Sequence, residues 1–191
     1  MPQKSFRESR YFPLTAAALL LAVSVLMPQI FHSFGPAGGK MFLPMHFGVL
    51  LAGLYLGPWW GLAIGTMSPL LSFLLTGMPP AAMLPFMCAE LAAYGLFAGI
   101  FSRALLRGQN SSKCRLVYPA LILAQIAGRL VSAGVLFLCG DVIGLQGAAK
   151  AASVWTATLA GVWGIVIQLA VLPPVFMLIN KILPPADKRK K

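Results

Sequence analysis

Three ionisable side chains, His46, Glu90 and Arg129, fall inside long apolar runs of the sequence. A charged side chain at the centre of a membrane helix costs about 2.5–3.5 kcal/mol on insertion scales, so such residues generally face a partner, a cavity or a ligand. These three residues are therefore the first candidates for a binding site or a buried ion pair.

Glu90 and Arg129 are predicted to lie at similar depths in neighbouring antiparallel segments. Each is about nine residues from the outer end of its apolar run, which corresponds to a depth of ~14 Å in a helix. Two interpretations stay open: an ion pair that locks two helices together, or a site that holds a polar ligand in an outward-facing cavity. Arg129 is the better ligand candidate, because its planar guanidinium suits a carboxylate or a ring carbonyl.

Four further residues are weaker candidates for the walls of such a site. His46 is predicted about five residues below the outer surface, where it either packs or donates a hydrogen bond to substrate. Tyr94 follows Glu90 by one helical turn and shares its face. Trp155 and Trp163 fall near one face of the last segment, where aromatic rings pack or stack on a flat ligand. No metal site is expected, because the sequence has only two histidines and no carboxylate cluster beside them.

The composition places these residues in a membrane protein. Hydrophobic residues make up 59% of the 191 residues and charged residues only 10%, which is too little polar surface for a soluble domain. Several runs reach the ~20 residues that a helix needs to cross a bilayer, and none alternates with a period of two. We predict an all-α, polytopic membrane protein, a bundle of about six transmembrane helices forming one domain over residues 1–191. The predicted spans are roughly 12–30, 41–56, 59–75, 81–106, 116–138 and 154–183.

Three of these segments have an alternative interpretation. The first run follows three basic residues and resembles a signal peptide, but no small-residue cleavage site and soluble domain come after it, which favours a retained span. Residues 41–75 could form one re-entrant hairpin instead of two spans. In the last segment, Gln168 and Asn180 are predicted too close to the inner end to belong to the site.

The distribution of charge predicts the orientation of the bundle. With six spans, twelve of the fifteen basic residues fall on the side of both termini, two fall on the other side, and Arg129 lies within a span. The positive-inside rule therefore predicts cytoplasmic termini. The net charge of +11 is explained by this placement, so no nucleic-acid partner is expected.

Other kinds of chemistry find little support in the sequence. The phosphate-binding pattern GxxxxGK[ST] is absent, so the chain is not expected to hydrolyse ATP. The three cysteines have no CxxC spacing and are interpreted as small core residues. No cofactor is expected. In the first span, Ala18 and Ala22 form a small-xxx-small pair of the kind that lets helices approach closely.

Residues 44–58, PMHFGVLLAGLYLGP, together with Gly61, Gly65, Pro69, residues 77–80 (GMPP) and residues 90–96 (ELAAYGL), resemble the substrate-binding S components of energy-coupling factor (ECF) transporters. The resemblance covers most of the chain and is sharpest over residues 44–100. It implies that the chain captures a small molecule outside a prokaryotic plasma membrane, without catalysis of its own. It also implies partners: a membrane-embedded T component, docking on Ala18 and Ala22, and two cytosolic ATPases.

The resemblance favours a vitamin or vitamin precursor as the substrate. Metal-specific members of that family use an N-terminal segment containing histidine, which residues 1–3 do not match. We expect the ligand among spans four to six, covered by residues 35–40 and 77–80, whose glycines provide the backbone freedom that a lid needs. The rival classes are a proton-coupled secondary carrier with Glu90 as its proton site, and a membrane enzyme or assembly factor.

Overall fold

The predicted all-α fold is confirmed by a computed structural model of the chain, which describes residues 11–32, 43–106, 116–142, 158–159 and 161–182. Every secondary-structure element in these ranges is helical. The main helices are α1 (Phe12–His32), α2 (Met45–Leu56), α3 (Pro58–Thr76), α4 (Leu84–Leu106), α5 (Val117–Leu136) and α6 (Val162–Ile182), and a π-helical segment, Phe137–Val142, continues α5.

Five of these helices are long enough and apolar enough to cross a membrane, namely α1, α3, α4, α5 and α6. Of these, α5 forms its span together with the start of the π-helical segment, over Val117–Cys139. The remaining helix, α2, has 12 residues and a length of ~18 Å, so it cannot span a hydrocarbon core by itself. Its partner α3 has 19 residues, which argues against a re-entrant hairpin with two short arms.

A single residue, Gly57, joins α2 to α3 and reverses the chain. Its φ of 108° lies in a region that favours glycine, and its N–H donates to the carbonyls of Ala52 and Gly53 at the end of α2. Pro58 then occupies the first position of α3, where a missing N–H costs nothing. The two helices are therefore antiparallel and adjacent.

Three glycines allow α2, α3 and α4 to pack with their backbones close together. A Cβ atom added to Gly53 or Gly61 would overlap the carbonyl oxygen of Gly95, and one added to Gly95 would overlap the backbone of Gly61. Small residues at such crossings maximise van der Waals contact between membrane helices. The crossing makes α4 the centre of the bundle, with α2 and α3 on one side and α5 on the other.

Contacts at the helix ends establish which ends lie together. The ring of Phe12 at the start of α1 contacts Tyr55 at the end of α2, with 6.3 Å between centroids. Ser102 near the end of α4 donates to the carbonyl of Leu54 at 2.9 Å. At the opposite end, Gln29 of α1 donates to Thr76 of α3 at 3.5 Å. The end that contains Phe12, Tyr55 and Ser102 is the one that the basic residues predict to be cytoplasmic.

Candidate substrate site

Glu90 and Arg129 form a direct ion pair between α4 and α5. The Arg129 Nη1 donates to Glu90 Oε1 at 2.7 Å. The side chain of Arg129 is 15% exposed and that of Glu90 is 17% exposed. The second carboxylate oxygen, Oε2, accepts a hydrogen bond from Ser132 at 3.2 Å. Both oxygens of Glu90 are thus occupied, and the carboxylate fixes Arg129 in position.

Two aromatic rings complete the group around this ion pair. Tyr94, one turn after Glu90, has its ring centre 5.9 Å from the guanidinium carbon of Arg129, within the range of a cation–π contact. The ring of His46 packs edge-on against Tyr94, with 4.9 Å between centroids. Four of the predicted site residues therefore meet at one place. We call these four residues together with Ser132 the polar centre.

Some donors and acceptors of the polar centre are left over. Within the described part of the chain, neither ring nitrogen of His46 has a hydrogen-bond partner of good geometry, and the buried Nε of Arg129 has no acceptor. Unpaired polar groups are costly in a buried environment, and a ligand, an ion or a water molecule commonly satisfies them. The polar centre therefore has hydrogen-bonding capacity that the described residues do not use.

A second polar group joins α5, α6 and the start of α2. Gln125 donates to Gln168 Oε1 at 2.9 Å, and the amide nitrogen of Gln168 donates to the carbonyl of Leu43 at 3.4 Å. A backbone carbonyl can only accept, so it determines the orientation of the Gln168 amide and, through it, that of Gln125. Leu43 has a φ of 48°, which is uncommon for a residue with a side chain. We call this arrangement the amide bridge.

Gln168, which the sequence analysis placed too close to the inner end of the last span to belong to the site, lies in the first half of α6, which begins at Val162. Gln168 is therefore the seventh residue of α6, as Glu90 is of α4. Its side chain is almost fully buried, with 1% exposure. Sequence reasoning also missed Gln125 and Ser132, although an amide in the middle of an apolar run is a signal that could have identified Gln125.

Other predicted residues lie elsewhere. Trp163 is 60% exposed, whereas Trp155 and residues 35–40 fall outside the described residues. Residues 77–80, the other expected lid segment, follow α3 at the end opposite to the basic residues. Ala18 and Ala22 are exposed on the face of α1 that points away from the bundle. No group of three metal-ligating side chains occurs in the part of the chain that the structure describes.

A cleft of about 500 Å³ separates α5 from α6. Its volume is within the range of small-molecule sites. Arg129 of the polar centre and Gln125 of the amide bridge both contribute to its walls, so the cleft adjoins both polar groups. It is lined by Ile122, Gln125, Ile126, Arg129, Leu130, Ala133, Thr158, Ile165 and Leu169.

Comparison with known proteins identifies the family. Searches of curated proteins and of solved structures find no significant match. The family model described as "ECF transporter, substrate-specific component" matches residues 13–176. This match covers all six helices up to the last turns of α6, including the polar centre and the amide bridge. The chain is therefore a multi-pass membrane protein that belongs to the family of ECF transporter substrate-specific components.

Proposed function

We propose that this chain captures a vitamin or vitamin-like organic molecule at the outer face of a prokaryotic plasma membrane. It then delivers the molecule through a T component and two cytosolic ATPases, which supply the energy for uptake. Membership of the S-component family supports the partnership. The side chains of the polar centre support an organic ligand. They offer a guanidinium, an imidazole and a phenol, which can form hydrogen bonds to such a molecule, and the described residues contain no cluster of metal ligands.

The observation that carries the proposal is the asymmetry of the Glu90–Arg129 pair. Both oxygens of Glu90 accept hydrogen bonds within the protein, whereas the Nε of Arg129 has no acceptor among the described residues. Glu90 accordingly acts as a positioning residue, and Arg129 contacts the ligand. A carboxylate or a ring carbonyl suits the remaining edge of a guanidinium that is already held by one carboxylate.

His46 and Tyr94 are the neighbouring ligand contacts in this proposal. His46 is 6% exposed, and neither of its ring nitrogens has a hydrogen-bond partner of good geometry among the described residues. Its ring lies against Tyr94, which in turn lies against Arg129. A hydrogen bond from His46 to the ligand would satisfy a buried ring nitrogen that has no well-aligned partner among the described residues.

The partner surface is proposed to be the exposed face of α1. Ala18 and Ala22 lie on this face, whereas the neighbouring Ala17 is buried against the bundle at 5% exposure. Small side chains there would allow a helix of the T component to approach closely. The surface is on a different helix from the polar centre, so its role can be separated from ligand binding by mutation.

The experiment is to purify the full chain, identify the co-purifying small molecule by mass spectrometry, and measure its affinity for variants. Arg129→Ala should weaken binding by about 2–5 kcal/mol, the range for truncating a buried charged partner. Arg129→Lys should restore only part of the affinity, because it lacks the planar fork. Thr15→Val, an exposed position near the start of α1 at the end of the bundle opposite to residues 77–80, is the control and should bind normally. Unchanged affinity in a well-folded Arg129→Ala protein would contradict the proposed site.

A further inference from the structure

The outer half of α6 is attached to the bundle differently from the inner half. Within residues 162–171 the only buried residues are Gly164 and Gln168, so no large apolar side chain of this half is fully buried. The inner half begins with Leu172, which is 2% exposed. Three further residues of the inner half pack against the apolar core, namely Val175, Phe176 and Ile179. Apolar packing therefore holds the inner half, whereas the most buried side chain of the outer half is polar.

The cleft between α5 and α6 lies beside the outer half. The residues of α6 that line it are Ile165 and Leu169, and both are only partly buried. A gap between two helices forfeits van der Waals contact. Such contact and hydrogen bonds hold helices together in a membrane, because lipid tails are as apolar as the side chains. The outer half of α6 has thus lost part of the packing that would keep it against α5.

Two prolines lie at the junction between the halves. Pro173 and Pro174 are inside α6 and have no N–H, so the carbonyls of Leu169 and Ala170 cannot receive the hydrogen bonds that a regular helix would give them. Sharp bends in helices occur preferentially at such positions. The outer half can therefore tilt about this junction while the inner half stays packed.

The amide bridge supplies the polar attachment of the outer half. Gln168 accepts from Gln125 of α5 at 2.9 Å and donates to the carbonyl of Leu43, which precedes α2, at 3.4 Å. The same carbonyl accepts the backbone N–H of His46 at 3.1 Å. The outer half of α6 therefore lies against the first turn of α2, which carries His46 into the polar centre.

We propose that the outer half of α6, residues 162–171, is a gate that tilts about Pro173 and Pro174 and is held closed by the amide bridge. Each neutral hydrogen bond contributes little net stabilisation, so the open state is a minor but accessible population. Opening uncovers the first turn of α2 and gives a molecule from outside a route to His46. The motion goes beyond the proposed function, and only its role in ligand capture rests on that function.

Distances between spin labels on α3 and α6 test the motion. The labels are attached to exposed positions of the full chain in nanodiscs, after its three cysteines are changed to alanine. Leu74→Cys with Trp163→Cys forms the outer pair, and Trp59→Cys with Ile182→Cys forms the inner pair. Pulsed electron paramagnetic resonance should give two distances for the outer pair and one for the inner pair.

Four variants test what holds the gate. Gln125→Leu removes one hydrogen bond of the amide bridge and Gln168→Leu removes both, so the equilibrium constant for opening should rise by roughly fivefold for each bond lost. Pro173→Ala combined with Pro174→Ala restores two helical N–H groups and should reduce the open population. The control is Pro28→Ala, which changes the proline inside α1 and should leave the outer distances unchanged.

The reactivity of a thiol at position 46 tests the route. His46→Cys places the thiol where the native side chain is 6% exposed, and the probe is sulfonatoethyl methanethiosulfonate, a small polar reagent added from outside. Its rate of modification should rise in Gln168→Leu by the same factor as the open population and fall in the double alanine variant of the prolines. Ala98→Cys, at a fully buried position of α4, is the control and should stay unreactive.

Three results would overturn the inference. They are a single outer distance in both the unsubstituted chain and Gln168→Leu, equal changes in the outer and inner pairs, or a modification rate at His46→Cys that Gln168→Leu does not alter. Gln125→Leu provides the same comparisons if Gln168→Leu does not fold. No measurement uses the transported molecule, so a rigid α6 would leave the proposed function standing, and the absence of a co-purified ligand would leave the gate standing.

Discussion

Removing one member of the Glu90–Arg129 pair should destabilise the protein more than removing both. Each side chain is largely buried, at 15% and 17% exposure, and they are joined at 2.7 Å. Leaving one partner of a buried pair alone costs about 3–5 kcal/mol, whereas replacing both by apolar residues is often neutral. We therefore expect Glu90→Leu and Arg129→Leu each to lose about 3–5 kcal/mol of unfolding free energy. The double variant should lose less than either single variant.

Glu90→Gln provides an intermediate case that refines this prediction. The glutamine can still accept from Arg129, and its amide can donate to Ser132, so the geometry is kept while the charge is lost. Because charge-assisted hydrogen bonds are worth roughly twice neutral ones, the expected loss is about 1–2 kcal/mol. Comparing the loss of unfolding free energy in Glu90→Gln with that in Glu90→Leu therefore separates the contribution of the charge from that of the hydrogen bonds.

The assay is reversible unfolding in mixed detergent micelles, followed by circular dichroism in the absence of ligand. Gln29→Leu is the control, because Gln29 makes a polar contact between helices at 3.5 Å near the bundle end and away from the ion pair. If the losses in the two single leucine variants simply add in the double variant, the two side chains are not energetically coupled, and the interpretation of Glu90 as the residue that positions Arg129 is wrong.

Three further predictions concern the helix crossing, the partner surface and the amide bridge. Gly95→Leu should prevent α3 and α4 from approaching at Gly61 and lower the yield of folded, monodisperse protein measured by size-exclusion chromatography; normal yield would show that the crossing can relax. Ala18→Leu combined with Ala22→Leu should abolish uptake while leaving ligand affinity unchanged, and loss of binding by the isolated subunit would mean that these residues pack the fold instead. Gln168→Leu should cost about 1–3 kcal/mol of unfolding free energy, because it leaves the buried amide nitrogen of Gln125 without its acceptor; a stability equal to that of the unsubstituted protein would show that the bridge contributes nothing.

Much of the polar centre could be predicted from the sequence, because the rules that apply there are simple. A charge in an apolar run is conspicuous, and counting helical rise from the end of a run gives its depth. These two considerations placed Glu90 and Arg129 at the same level in neighbouring helices. Tyr94 followed from the helical repeat. His46 was less certain, and only the structure shows that it packs against Tyr94.

The remaining features depend on tertiary contacts that leave weak traces in the sequence. A serine in a membrane helix commonly bonds to its own backbone, as Ser68 does, so nothing marked Ser132 as a partner of Glu90. The amide bridge joins Gln168 to Gln125 and Leu43, which are far apart in the sequence, so no local pattern marks it. The cleft results from how α6 packs against α5, which no local pattern encodes.

The central claim is that this chain binds a small organic molecule and depends on partner ATPases for its uptake. The most direct test is to reconstitute the chain in liposomes with a T component and the two ATPases, and to follow the radiolabelled co-purified ligand. The account predicts accumulation of the ligand that requires ATP, requires all partners, and is lost in Arg129→Ala. Accumulation by the chain alone, driven by a proton gradient and abolished by Glu90→Gln, would contradict it and identify a secondary carrier.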